Sequence, residues 1–161
     1  MKTQPTFLGR EMPSPVGKLT LLASEKGLAG VYFEDRYEEA WSAEPSPILE
    51  QAETELREYF AEERTEFEVQ LDVEGTNFQL SVWQELSKIP LGQIASYQDI
   101  ANRIGNPKAV RAVGLANGAN PVSIIVPCHR VLGANGKLVG YGGGLERKLT
   151  LLRHEKAGIL L

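Results

Sequence analysis

The feature that most constrains this chain is a break in charge near residue 74. Over 161 residues the net charge is −4, but residues 1–75 carry 7 Lys and Arg against 17 Asp and Glu, a balance of −10. Residues 76–161 carry 10 against 4, a balance of +6. A chain of this length holds one domain or two small ones. The break coincides with Gly75-Thr76, a turn residue followed by a helix-capping one. Two domains are therefore expected, an acidic scaffold over 1–74 and a basic unit over 75–161. A basic half marks a polyanionic partner and confines it to that half.

Several classes are excluded early. No apolar run reaches the roughly 20 residues that span a bilayer, and the opening M-K-T-Q-P-T-F lacks the apolar core of a signal peptide. A single cysteine forms no internal disulfide, which fits a reducing cytoplasm. One cysteine and two scattered histidines are too few for a zinc site. No metal, other cofactor or membrane partner is expected.

In the acidic half, residues 18–23 and 28–33 flank Ser24-Glu25-Lys26-Gly27 and predict a hairpin, with Pro15-Val16-Gly17 punctuating the strand before it. Ile48, Leu49, Ala52, Leu56, Tyr59 and Phe60 have helical spacing. Phe67, Val69 and Leu71 alternate with charged or polar residues and predict one more half-buried strand.

The basic half opens with a helix bearing Phe78, Val82, Trp83, Leu86 and Ile89 and closed by Pro90, with Trp83 assigned to the core. A helix–turn–helix pattern follows. Ser96 and Asp99 form a capping box, Ile100, Ala101 and Ile104 an inner face, and Gly105 a left-handed stop. Asn106 then caps a second helix with Pro107 in its first position, running to about Asn117. Such pairs occur as plain packing as well as nucleic-acid readers. The second helix favours the reader. It carries Lys108 and Arg111 among Ala109, Ala112, Gly114, Ala116 and Gly118, so cations meet phosphate while small residues admit close approach.

Residues 122–130, V-S-I-I-V-P-C-H-R, read as a buried strand ended by Pro127, delivering Cys128 directly beside His129 on one bend. A lone cysteine is commonly a small buried hydrophobe, so the neighbours decide its role. Residues 140–144, G-Y-G-G-G, lack a following Gly-Lys-Ser/Thr, which disfavours a nucleotide-triphosphate loop and leaves a rim over the cysteine. Residues 145–156 form a last helix with Leu145, Leu149 and Leu152 inward. Glu155 falls in its final turn, where the helix dipole disfavours a carboxylate, and His129 is a candidate partner.

Val126-Pro127-Cys128-His129-Arg130-Val131 resembles the active-site signature of the O6-alkylguanine-DNA alkyltransferases. Gly75-Thr76, Phe78-Gln79, Val82-Trp83, Ser96-Tyr97, Arg111-Ala112-Val113-Gly114, Asn120-Pro121 and Gly143-Gly144-Leu145 resemble further motifs of that family, in the family's order. The resemblance implies an α/β (α+β) protein, with a small ribonuclease-H-like sheet domain before a winged helix–turn–helix domain. It implies irreversible, stoichiometric transfer of an alkyl group from guanine O6 in double-stranded DNA to Cys128, with thymine O4 a further target left open. It also implies base flipping, since O6 is unreachable inside the stack.

By the same resemblance His129 would act through a water as base, Glu155 would orient His129, and Asn120 would tie the turn before the cysteine to the reader region. Tyr97 would rotate the target phosphate and lend a proton to the leaving guanine. Arg111 would fill the gap left by the flipped base, with Lys108, Ala112 and Gly114 on the DNA-facing helix. Val131, Tyr141, Gly142 and Gly143 would line the base pocket, the Cys128 and Val131 carbonyls accepting from the guanine amino group. Arg130 would fix structure rather than touch the base. Gly142 departs from relatives with serine there, which bears on the range of alkyl groups accepted. A monomer in solution is implied, with cooperativity on DNA left open. The alternative function is a lesion-sensing alkyltransferase-like protein without transfer activity, in which tryptophan stands at the position of Cys128. A cysteine hydrolase or a transcription factor accounts for fewer of these residues.

Overall fold

The computed structural model describes residues 7–137 and 143–156, and the chain divides into two compact units, Met1–Val73 and Glu74–Leu161. Unit one is built on a three-stranded antiparallel sheet in the order β1 (Leu8–Met12), β2 (Leu19–Ala23), β3 (Leu28–Phe33). Leu21 lies opposite Arg10 on β1 and Val31 on β3. Every residue of β2 is buried, as a central strand requires. Helix α1 (Pro47–Phe60) packs against this sheet through Leu49, Ala52 and Leu56. Its start follows from sequence, because Ser46 Oγ accepts from Leu49 N at 3.2 Å and Pro47 opens the first turn.

The strand expected around Phe67, Val69 and Leu71 does not form. Only an isolated parallel bridge joins Leu71 to Leu28. The reason is a side chain: buried Glu55 of α1 takes the N–H groups of Glu68 at 2.9 Å and Val69 at 3.1 Å, bonds a ladder would otherwise have used. Its other oxygen accepts from Gln51 at 2.8 Å.

Unit two contains α2 (Asn77–Leu86), β4 (Ala95–Ser96), α3 (Tyr97–Arg103), α4 (Val110–Gly118), β5 (Val131–Leu132) and α5 (Leu145–His154). Thr76 with Gln79, and Ser96 with Asp99, form reciprocal capping boxes at the starts of α2 and α3. Val82, Trp83 and Leu86 of α2, Ile100 and Ala101 of α3, and Val113 and Ala116 of α4 supply the buried faces. Trp83 is core, as expected, and its Nε1 donates to the Ala116 carbonyl at 2.8 Å. Gly105, at φ +77°, turns the chain between α3 and α4.

Helix α4 begins three residues later than Pro107. Residues 106–109 instead form a turn, closed by Ala109 N to Asn106 O and held by Gln98 Nε2 on the Pro107 carbonyl at 2.9 Å. In α5 the expected inner face also differs. Leu145 is exposed and Leu149 half-buried, while Lys148, Leu151 and Leu152 are buried. Strands β4 and β5 form a short parallel pair that carries Val131 against Ala95.

Replacing Glu55 with Ala leaves two backbone N–H groups unmet and should destabilise unit one by about 2 kcal/mol. A lowered urea midpoint at unchanged slope is the expected readout, and no change would remove Glu55 from this role.

Candidate active site

The bend carrying Cys128 is made by an asparagine rather than by a strand. Residues 122–126 form a compact turn, closed by Val126 N to Val122 O at 3.0 Å. Asn120 binds this turn from inside: its Oδ1 accepts from Val122 N at 3.0 Å, and its Nδ2 donates to Val126 O at 2.8 Å. Ile124, fully buried, is forced to φ +74°, a conformation that is rare and strained for a β-branched residue. The expected strand is lost because a side-chain amide supplies the partners that a neighbouring strand would have offered.

Cys128 then opens a single turn of 3-10 helix, Cys128–Arg130, and is only 4% exposed. Its sulfur accepts from Asn120 Nδ2 at 3.2 Å. Its carbonyl accepts from Val131 N and from Asn117 Nδ2, the latter at 3.3 Å. A buried donor aimed at sulfur favours the charged, nucleophilic form. Tyr97 lies close by. Burial and the neighbouring Cys128 hold its hydroxyl above its ordinary range, against the influence of the Asn117 side chain.

His129 is wholly buried, and its Nε2 meets Glu155 Oε2 at 2.7 Å. Arg130 grips the same carboxylate with two bonds, Nε to Oε1 at 2.8 Å and Nη2 to Oε2 at 3.0 Å. Its remaining arm donates to the Ile89 carbonyl at 2.6 Å. Arg130 therefore fixes structure, as expected, and it does so by holding Glu155. Burial alone would raise the Glu155 carboxyl. The hydrogen bonds and charge of His129 and Arg130 outweigh this and hold it at about 2. Burial lowers His129, opposed by Glu155 and reinforced by the cations of Arg130 and Lys148. An ionised Glu155 accepts a proton-bearing Nε2, which leaves Nδ1 as the basic atom of a neutral ring. Among the described residues Nδ1 has no hydrogen-bond partner.

Sequence reasoning missed Lys148 and Asn117. Lys148 is 0% exposed, and its Nζ donates to the Val131 carbonyl at 2.6 Å. Two of the ten cations in the basic half, Arg130 and Lys148, thus face inward. Lys108, Arg111 and Ala112 are exposed, and Gly114 is half-buried with open space where a Cβ would sit. Gly143 is buried, and its carbonyl accepts from Arg147 at 3.1 Å. Tyr141 and Gly142 lie outside the described residues. Among the described residues no cluster of side chains could hold a metal ion.

Residues 77–157 match the DNA-binding domain of 6-O-methylguanine DNA methyltransferase, and residues 10–73 match that family's ribonuclease-like domain. The chain belongs to this family. A methylated-DNA–protein-cysteine methyltransferase of Mycobacterium tuberculosis is 51% identical over 152 residues, covering 92% of each chain. The crystal structure of a Mycobacterium tuberculosis O6-methylguanine methyltransferase aligns with a TM-score of 0.87 at 49% identity, covering 96% of this chain and 95% of that one. The Mycobacterium tuberculosis enzyme in complex with DNA aligns with a TM-score of 0.85 at 50% identity over 92% of each chain. Within the family the first unit is the small sheet domain and the second the helical, DNA-binding one.

Because the Glu155 carboxyl is depressed in the folded state, its contribution is complete above the unfolded carboxylate range near 4.5 and disappears as pH falls towards 2. Urea stability should lose about 3 kcal/mol over that window. The Glu155→Gln protein should show a flatter acid limb, and a limb as steep as wild type would contradict the assignment.

Proposed function

We propose that this chain repairs DNA by accepting an alkyl group from guanine O6 on Cys128, once per molecule. The observation that carries this reading is the buried Cys128 sulfur, held by Asn120 beside the His129–Glu155 pair in the unit that matches the family's DNA-binding domain. The thiolate attacks the alkyl carbon, a C–S bond forms, and the C–O6 bond breaks with its electron pair going to guanine. The product is a thioether at an sp³ carbon, which water does not hydrolyse, so no cycle follows.

His129 Nδ1, without a protein partner among the described residues, takes the thiol proton through a water in this reading, while Glu155 keeps the opposite ring nitrogen protonated. Tyr97, with its hydroxyl kept protonated, returns a proton to the leaving guanine in this reading. The Val131 and Cys128 carbonyls would accept from the base's amino group, each in addition to the protein bonds it already accepts. On α4, exposed Arg111 fills the stack behind the flipped base. Lys108 contributes phosphate contact, and Ala112 and Gly114 keep the helix surface low enough for a groove.

Intact-protein mass after incubation with an O6-methylguanine duplex should rise by one methylene on Cys128, with no turnover. Tight lesion binding without that gain would establish a sensor instead. Arg111→Ala should slow repair of duplex substrate by about tenfold or more while barely changing attack on free O6-benzylguanine. Equal losses on both would remove the base-replacing role.

A further inference from the structure

We infer that the counter-ion of the Cys128 thiolate in the resting protein is the Lys148 ammonium, with His129 neutral beside it. This rests on the alkyl-transfer reading of the same site. Lys148 reaches the turn from α5, and its Nζ is fixed on the carbonyl of Val131, the residue that closes the 3-10 turn begun by Cys128. Both side chains are buried in the same unit, Lys148 at 0% exposure and Cys128 at 4%. Burial pulls Lys148 down to about 8 while Cys128 works to raise it, so the ammonium persists at neutral pH.

The charge count among the described residues points the same way. The fully or nearly buried ionisable groups of unit two are Cys128, His129, Arg130, Lys148 and Glu155. Both oxygens of Glu155 are engaged by Arg130 and His129. With His129 neutral, two cations face one carboxylate in a water-poor interior. Ionisation of Cys128 brings that interior to neutrality, whereas protonation of His129 would add a third cation. Tyr97, at the start of α3, stays protonated, its hydroxyl held up by burial and by the charge of Cys128. The proton lost from the thiol passes by way of His129 Nδ1 to solvent. Lys148 gives up no proton in the transfer: the S–C bond forms, the C–O6 bond breaks, and the guanine takes a proton by way of Tyr97.

The experiment follows thiolate absorbance near 240 nm across pH in the full chain, with Cys128→Ser as the baseline. The sequence has one cysteine, so the signal has one source. Lys148→Met should move the rise to higher pH. It should also slow reaction with free O6-benzylguanine about tenfold or more at neutral pH, with recovery at alkaline pH. Lys148→Arg, which keeps a cation there, should restore part of both losses relative to Lys148→Met. An unmoved titration in Lys148→Met, or a rate loss equal at every pH, overturns the assignment and leaves Lys148 as packing.

A second measurement needs no change at Lys148. In nitrogen-15 spectra the Lys148 ammonium should lose its proton at lower pH in Cys128→Ser than in wild type, while the His129 ring stays neutral as the wild-type thiolate forms. An unshifted Lys148, or an imidazolium appearing with the thiolate, overturns the assignment. If the duplex substrate leaves wild-type Cys128 unmodified while these titrations behave as described, the repair reading fails and the ion pair stands.

Discussion

The candidate active site hangs on one carboxylate. Glu155 sits at the C-terminal end of α5, the pole of a helix that repels negative charge, and is buried as well. It stays ionised because Arg130 meets it with a two-pronged bond and His129 meets it with a ring nitrogen. Remove the charge and the consequences run outward. The imidazole loses the partner that decides which nitrogen carries the proton, and Arg130 loses the anchor that lets it also hold the Ile89 carbonyl beyond the end of α2. A single buried anion thus sets both a tautomer and the packing of the loop beyond α2.

The sulfur is held by neutral groups. Asn120 binds the turn and the thiol with one side chain, and Asn117 holds the carbonyl of the same cysteine. The Asn120 donor favours the thiolate but, being neutral, does not balance its charge. The charged side chains buried in the same unit, Arg130, Lys148 and Glu155, set the net charge around it.

Much of this could be read before any coordinates. Caps are local, so the Thr76 cap and the Ser96–Asp99 capping box announced α2 and α3 correctly. The conflict between Glu155 and its helix pole was also visible, and the expected partner, His129, lies 2.7 Å away. What failed did so where a distant or unusual side chain displaced the regular pattern. Residues 122–126 have every mark of a strand, yet Asn120 satisfies them from within and strains Ile124 to do so. Residues 67–71 alternate like a strand, but Glu55 takes the N–H groups of Glu68 and Val69. Nothing in the sequence marks Lys148 as buried, because lysine is usually exposed. Only the tertiary setting, with a carbonyl at 2.6 Å, turns it inward.

Helix α4 has two faces with separate obligations. Val113, Ala116 and Asn117 look inward, where Ala116 meets Trp83 and Asn117 holds Cys128. Arg111, Ala112, Leu115 and Gly118 look outward, Leu115 with 72% of its surface exposed. Substitutions on the outer face can change the surface this helix presents without reaching the sulfur. Those on the inner face reach Trp83 or the carbonyl of Cys128 directly. Surface character and the setting of the thiol are therefore separable inheritances carried on one short helix.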